Sequence, residues 1–306
     1  MFDLGFVSAI LADKSFEEVI DFAAKQQFKC VELMCWPKGK AERRYAGVTH
    51  LDPDALDASK LTYIQDYLKQ KSVYISGLGY YPNPLDPDLE KRKFYFDHLK
   101  KIIDAAVLLR VPVVNTFIGR HPQKNIEANI EEFKTYWPPL IQYAQEKGIR
   151  IGIENCPMLF TYDEWPGGKN MAISPVIWER LFSIVPSPSF GLNYDPSHMI
   201  WQQMDYLQPM LDFSEKLFHI HLKDAKLYRD KLEKVGILAT PLEYHSPKLP
   251  GRGDVQWKEF FKTLRQSGYA GPVCIEFEDK DYEHSAEAIE KGLLETRDFL
   301  LKQMRA

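Results

Sequence analysis

The chain has no apolar run long enough to span a bilayer, which would need about 20 residues. Its start, MFDLGFVSAILADK, lacks the basic stretch and small-residue cleavage site of a secretory signal. Cysteine is scarce: Cys30, Cys35, Cys156 and Cys274 only. The spacing of Cys30 and Cys35 matches no zinc pattern, so free thiols in a reducing compartment, the cytoplasm, are expected. There is no basic excess either. With 39 Lys and Arg against 43 Asp and Glu, the formal net charge is -4. That leaves no electrostatic footprint for nucleic acid. Nor is there a G-x-G-x-x-G after the first apolar run, where Leu4 to Leu11 offers only Gly5, so a dinucleotide fold lacks its fingerprint.

What is there is regular alternation. Apolar, strand-like runs lie near Leu4–Ile10, Cys30–Met34, Val73–Leu78, Val111–Phe117, Ile149–Glu154, Phe190–Tyr194, Leu217–Lys223 and Val273–Phe277. Several are nearly continuous rather than alternating, as parallel strands covered on both faces require. Between them run amphipathic stretches with helix signals. Ser15 with Glu18 forms a capping-box pattern, and Ser174-Pro175 is a good N-cap and first-turn pair. Pro138-Pro139 is expected to kink or split its helix, and the stretch 204–213 to form another helix. Eight strand–helix units without a linker imply an α/β chain folded as one (β/α)8 TIM barrel over residues 1–306. Two long connections, Pro157 to Ile173 and Ala225 to Gln256, leave strand C-termini, the face where such barrels hold their sites.

Four of the later strands end in a metal-binding side chain: Glu154, Asp195, His221 and Glu276. Each alone has an ordinary explanation. A Glu after a strand can be a surface acid, and Asp195 before Pro196 can start a turn. Together, at the ends of the fifth to eighth strands, they form a ligand set. Three carboxylates and an imidazole suit Mn2+, Mg2+ or Co2+ and leave room for two substrate oxygens. His219 alternates with His221 and is placed in a lower layer of the barrel. Asp224 either orients a ligand or is solvated. The later acids Glu278, Asp279 and Asp281 are expected to cap and solvate the approach to the last helix.

Glu154-Asn155, Asp195-x-x-His198, His219-x-His221, Glu276 and Gly251-x-Gly253-Asp254-Val255-x-Trp257 resemble the sugar phosphate isomerase/epimerase superfamily, the xylose-isomerase-like barrels. The resemblance covers essentially the whole chain. It implies one divalent ion, Mn2+ first, with Mg2+, Co2+ or Zn2+ as alternatives, held by Glu154, Asp195, His221 and Glu276. It also implies that Glu154 and Glu276 are the catalytic acid/base pair. They would invert or move a stereocentre beside a carbonyl through an enediolate, with His198 on a substrate hydroxyl. The implied partner is a small carbohydrate, and the implied assembly a homo-oligomer. Trp36, Lys223, His245 and Arg252 are further candidates for substrate contact. Two departures stand out: Leu227 and Phe160 occupy positions where ketose 3-epimerases carry Arg and Glu. A lyase or dehydratase acting on a keto-sugar or inosose is therefore the alternative. An endonuclease IV-type nuclease and a non-catalytic sugar-binding barrel rank behind it. The nuclease would need histidines at the ends of the third and fourth strands, which carry none.

Overall fold

The computed structural model describes residues 2–39 and 45–305. Ten strands occur among them: β1 (Asp3–Val7), β2 (Cys30–Met34), β3 (Tyr74–Gly79), β4 (Val113–Thr116), β5 (Arg150–Glu154), β6 (Phe190–Tyr194), β7 (Leu217–Leu222), β8 (Asp224–Leu227), β9 (His245–Lys248) and β10 (Pro272–Ile275). Eight close into a parallel barrel in the order β1-β10-β7-β6-β5-β4-β3-β2. The remaining two, β8 and β9, form an antiparallel hairpin inside the long connection after β7. The expected (β/α)8 architecture is therefore present, with a hairpin added at the mouth.

The barrel helices are α1 (Phe16–Lys25), α2 (Ala58–Lys71), α3 (Leu89–Leu109), α4 (Ile126–Glu146) and α5 (Pro175–Ile184). After β6 come the short α6 (Ser197–Trp201) and α7 (Gln208–Asp212). Then follow α8 (Arg229–Val235), α9 (Trp257–Gln266) and α10 (Ala286–Gln303). Local chemistry starts several of them. Ser15 accepts from the Glu18 N–H while the Glu18 carboxylate accepts from the Ser15 N–H, the full capping box. Ser285 accepts from the Ala288 N–H to start α10.

Three expectations need correction. The first strand stops at Val7, because Ser8–Leu11 coils into a 3-10 turn. There the Ser8 hydroxyl accepts from the Met34 N–H and meets His50 Nδ1 at 2.8 Å. Pro138-Pro139 does not split α4, whose buried stripe of Ile130, Phe133, Trp137, Leu140 and Ile141 runs past both prolines. Packing of that face holds the helix together despite the missing N–H groups. The helix expected over 204–213 is only α7, since Asp205 accepts from the Leu207 and Gln208 N–H groups and so forms a turn ahead of it.

Asp224 corrects a fourth expectation. It is neither solvated nor aimed at the mouth but fully buried at the start of β8. Its carboxylate accepts from the N–H groups of Ala225, Gly251 and Val255 and from Trp257 Nε1. One side chain thus knits the whole Gly251-Arg252-Gly253-Asp254-Val255-Gln256-Trp257 segment to the end of β7. A Cβ on Gly253 would lie 2.2 Å from Asp224 Oδ1 and 2.5 Å from the Ala225 carbonyl, so only glycine fits that close approach.

Candidate active site

The C-terminal ends of β5, β6, β7 and β10 bring their polar residues to one mouth. Glu154 ends β5, Asp195 follows β6 by one residue, His221 is next to last in β7, and Glu276 follows β10 by one. The Asn155 amide ties two of these ends together: it donates to the Asp195 carbonyl and accepts from the Asp195 N–H, both at 2.8 Å. That clamp explains why Asn follows the first Glu. On the other side, Asn170 reaches out of the 157–173 connection. It donates to the Glu154 and Cys156 carbonyls and accepts from the Gly119 N–H.

Ligand atoms of Glu154, His221 and Glu276 lie within 4.8 Å of one another. His221 Nδ1 is 3.1 Å from Glu276 Oε2 and 3.7 Å from Glu154 Oε1. Asp195 joins from the side, with its Oδ2 3.2 Å from His198 Nε2 and 3.1 Å from Lys223 Nζ. Lys223 is only 2% exposed and also reaches Glu276 at 2.9 Å and Glu278 at 3.3 Å. Among the described residues, two buried carboxylate oxygens, Glu154 Oε1 and Asp195 Oδ2, receive no hydrogen bond, and neither ring nitrogen of His198 has one. The close approaches around them have ion-pair distances but not hydrogen-bonding angles. Buried polar atoms without partners are uncommon, and their clustering marks a place built for something else to bind.

The electrostatics follow from burial against charge. Burial alone would push the Glu276 carboxyl up, but Lys223 and His221 hold it well below its ordinary value. Asp195 is likewise lifted by burial and held down by Lys223 and His198. Burial works against the Lys223 ammonium, yet Asp195, Glu276 and Glu278 raise it well above the usual lysine value. Glu276 and Asp195 are thus kept ionised in the interior by cations rather than by water.

Two further acids belong to this cluster: Glu32, not among the sequence candidates, and Glu278, which pairs with Lys223 instead of solvating the approach to the last helix as expected. Glu32 sits in the middle of β2, fully buried, where it accepts from Tyr81 Oη and lies 2.7 Å from His221 Nε2. Burial raises its carboxyl, but His221 and His219 hold it below the ordinary range. Glu32 against Nε2 orients the His221 ring so that Nδ1 faces Glu154 and Glu276. Gly79 permits this, since a Cβ there would lie 2.5 Å from Glu32 Oε1. The available signal was one acid inside the apolar run Cys30–Met34. His219 occupies the lower layer as expected, bonded to Asn193 Oδ1 and Ser76 Oγ. Among the later acids, Asp279 and Asp281 pair with Lys248, while Glu278 turns to Lys223.

Other sequence candidates separate. Trp36, Lys223 and Phe160 line a pocket of about 60 Å3 together with Glu154, His221 and Glu276. His198 lies beside it against Glu154 and Asp195. His245 is on β9, its ring stacked on Trp201 at 4.9 Å and its Nδ1 bonded to the Pro241 carbonyl. It does not line that pocket. Arg252 is not brought to the site: it pairs with Glu295 and lies over the Tyr282 ring, in a turn against α10. A larger cleft of about 840 Å3, lined by Ile200, Met204, Lys226, Tyr228 and Arg229, holds none of the four strand-end residues.

The sequence profile of the xylose isomerase-like TIM barrel family matches residues 20–302. The chain belongs to that family. It is 27% identical to the uncharacterized protein YfiH of Bacillus subtilis (strain 168), over 90% of this chain and 92% of that one. An inosose dehydratase of Clostridium perfringens (strain 13 / Type A) is 25% identical over 49% of this chain and 48% of its own. Among solved structures, an IolI protein with a bound zinc atom superposes with a TM-score of 0.71, covering 99% of both chains at 16% identity, which speaks to the fold. Among the described residues no helix is long and apolar enough to cross a membrane.

Proposed function

We propose that this chain is a divalent-metal-dependent isomerase or epimerase of a small polyhydroxy ketone, a ketose or an inosose, acting by proton abstraction beside the carbonyl. The observation that carries this is the pair Glu154 and Glu276, brought from β5 and β10 to face the same nitrogen of His221. Glu154, Asp195, His221 and Glu276 would hold the ion. The fit is supported by the donor chemistry, three carboxylates and an imidazole, and by the unbonded buried oxygens of Glu154 and Asp195. When bound, a divalent ion supplies Lewis acidity toward two adjacent substrate oxygens.

The protein residues do the rest. One of the two Glu takes the proton from the carbon next to the carbonyl, and the other returns a proton to the opposite face. They trade roles by protonation state. Lys223, 2.9 Å from Glu276, keeps that carboxylate charged and ready to act as base. His198 contacts a substrate hydroxyl, and Trp36 walls the pocket. Small-molecule pockets usually span about 300–1,000 Å3. At about 60 Å3 this pocket is tight for a sugar, and Phe160 in the 157–173 connection is among its lining residues. On this reading Mn2+ is the ion, a small carbohydrate the partner, the cytoplasm the compartment and a homo-oligomer the working form.

One observation favours elimination as the second reading. Lys223 and His198 place two protonatable nitrogens beside the Glu pair. Either can protonate a departing hydroxyl after the same first step. The test is to load the protein with Mn2+ and offer ketoses, inososes and 3-keto-glucosides in deuterated water. Exchange of the α-proton with conserved mass supports isomerisation, and loss of water supports the dehydratase. Glu154→Gln and Glu276→Gln should each slow exchange roughly 100- to 10,000-fold, and full exchange in both variants would refute the mechanism.

A further inference from the structure

The donors that converge on the mouth are not all hard. Cys156 follows Glu154 by two residues, and its sulfur turns back into the site. Its Sγ, a ring nitrogen of His198 and a carboxylate oxygen of Glu154 lie within 4.8 Å of one another. All three side chains are buried. Cys156 is held there from both sides: its carbonyl accepts from Asn170, and its sulfur accepts from the Met158 N–H at 3.4 Å.

The second observation is what these groups lack. His198 is 8% exposed, and among the described residues both its ring nitrogens are without a hydrogen-bond partner, as is Glu154 Oε1. His198 Nε2 stands 3.6 Å from Glu154 Oε1 and 3.2 Å from Asp195 Oδ2, with no hydrogen-bonding geometry to either. An imidazole left this way in the interior is costly, and a shared cation removes the cost. The two sides of the mouth also differ in charge. Asp195, Glu276 and Glu278 already share the Lys223 ammonium. Among the described residues, the ion-pair neighbours of Glu154 are only His198 and His221.

We propose that Glu154, Cys156 and His198 form a second, softer cation position, for Zn2+ or Co2+, that shares Glu154 with the Glu154–His221–Glu276 cluster. Sulfur, nitrogen and oxygen in one set select a borderline-soft ion over Mg2+ or Mn2+. Three protein donors leave one place of a tetrahedron open, the arrangement of reactive rather than closed structural zinc sites. The position shares Glu154 and His198 with the function proposed above: a cation there takes His198 from the substrate hydroxyl and from proton donation, while its own binding needs no proton transfer.

The test uses the whole chain stripped of metal with a chelator and titrated with Co2+. A thiolate-to-cobalt charge-transfer band should appear in the near ultraviolet, vanish in Cys156→Ser and persist in Glu276→Gln. Zinc-loaded wild-type protein should show a zinc–sulfur distance of about 2.3 Å by X-ray absorption, which requires no variant to fold. Cobalt bound without the band, or zinc without sulfur, overturns the second position while leaving the isomerase reading to its own exchange test. A band that survives Cys156→Ser overturns it too. Failure of α-proton exchange in a protein that shows the band would sink the isomerase and leave the second position standing.

Discussion

Two aspartates lie buried close to the barrel mouth, and they are opposites. Asp224 accepts four hydrogen bonds, from three backbone N–H groups and an indole. Among the described residues Asp195 accepts one, from the Ser197 N–H at 2.7 Å, and its other oxygen has none. Their charge states are held by different means. Burial raises the Asp224 carboxyl, and its four neutral donors only partly offset this. The Asp195 carboxyl is held below its ordinary value by Lys223 and His198 despite complete burial. A carboxylate saturated by neutral donors holds a loop in place. One kept charged by cations, with an oxygen to spare, is available to a ligand.

The largest effect that sharpens this contrast is on stability at Asp224. Asp224→Ala strips three buried donors and the part-buried Gly251 N–H of their acceptor, and each buried group costs about 1–3 kcal/mol when left unsatisfied. Urea unfolding should show a loss of about 4 kcal/mol. A loss under about 1 kcal/mol would mean that the 251–257 segment is not held by this residue.

Next in size is Lys223→Met. It removes the cation shared by Asp195, Glu276 and Glu278, and breaking a buried ion pair from one side costs about 3 kcal/mol or more. Metal-free protein should melt earlier than wild type, and saturating Mn2+ should recover most of the difference. If the metal-free variant is as stable as wild type, Lys223 is not the cation that keeps Asp195 charged.

The hairpin beside the mouth offers a pH test. Burial, with His198 and Lys223 nearby, lowers the His245 imidazole to about 4, although its bond to Pro241 works the other way. The folded value is below the unfolded one of about 6.5, so the unfolded chain binds more protons between the two. Stability from this group is therefore complete above pH 6.5 and lost as pH falls toward 4, by at most about 3 kcal/mol. His245→Phe keeps a ring on Trp201 and should flatten that part of the stability–pH curve. An unchanged acid limb would assign the loss to other groups.

The barrel was legible because its strands are continuous apolar runs and the ligand residues stand at their ends. What escaped was whatever depends on contacts across the barrel. Glu32 looks like an odd acid in β2 until Tyr81 from beyond β3 and His221 from β7 are seen against it. Asp224 reads as a mouth residue from its place after His221, but the chain turns there into β8 and takes it under the 251–257 segment. Arg252 is a candidate for substrate contact by sequence, yet its flanking glycines serve close packing and the arginine pairs with Glu295. Spacing locates a residue along its own strand. It does not report which neighbours, many residues away, satisfy it.

The smallest expected effect is the one on which the contrast depends most. Asp195→Asn keeps the shape and the Ser197 bond while removing the charge. The Lys223 ammonium still has Glu276 at 2.9 Å and Glu278 at 3.3 Å, so one carboxylate fewer leaves it paired. Repulsion between Asp195 and Glu276, which raises the Asp195 carboxyl, is relieved at the same time. The two changes oppose each other, and metal-free stability should move by less than about 1 kcal/mol, as for substitutions that leave no buried charge unpaired. Binding should tell the residues apart. Wild type should gain melting temperature with rising Mn2+ by mass action, and Asp195→Asn should gain much less. If Asp195→Asn instead unfolds as readily as Asp224→Ala, both aspartates are structural, and an unfilled buried oxygen is not a mark of function in this barrel.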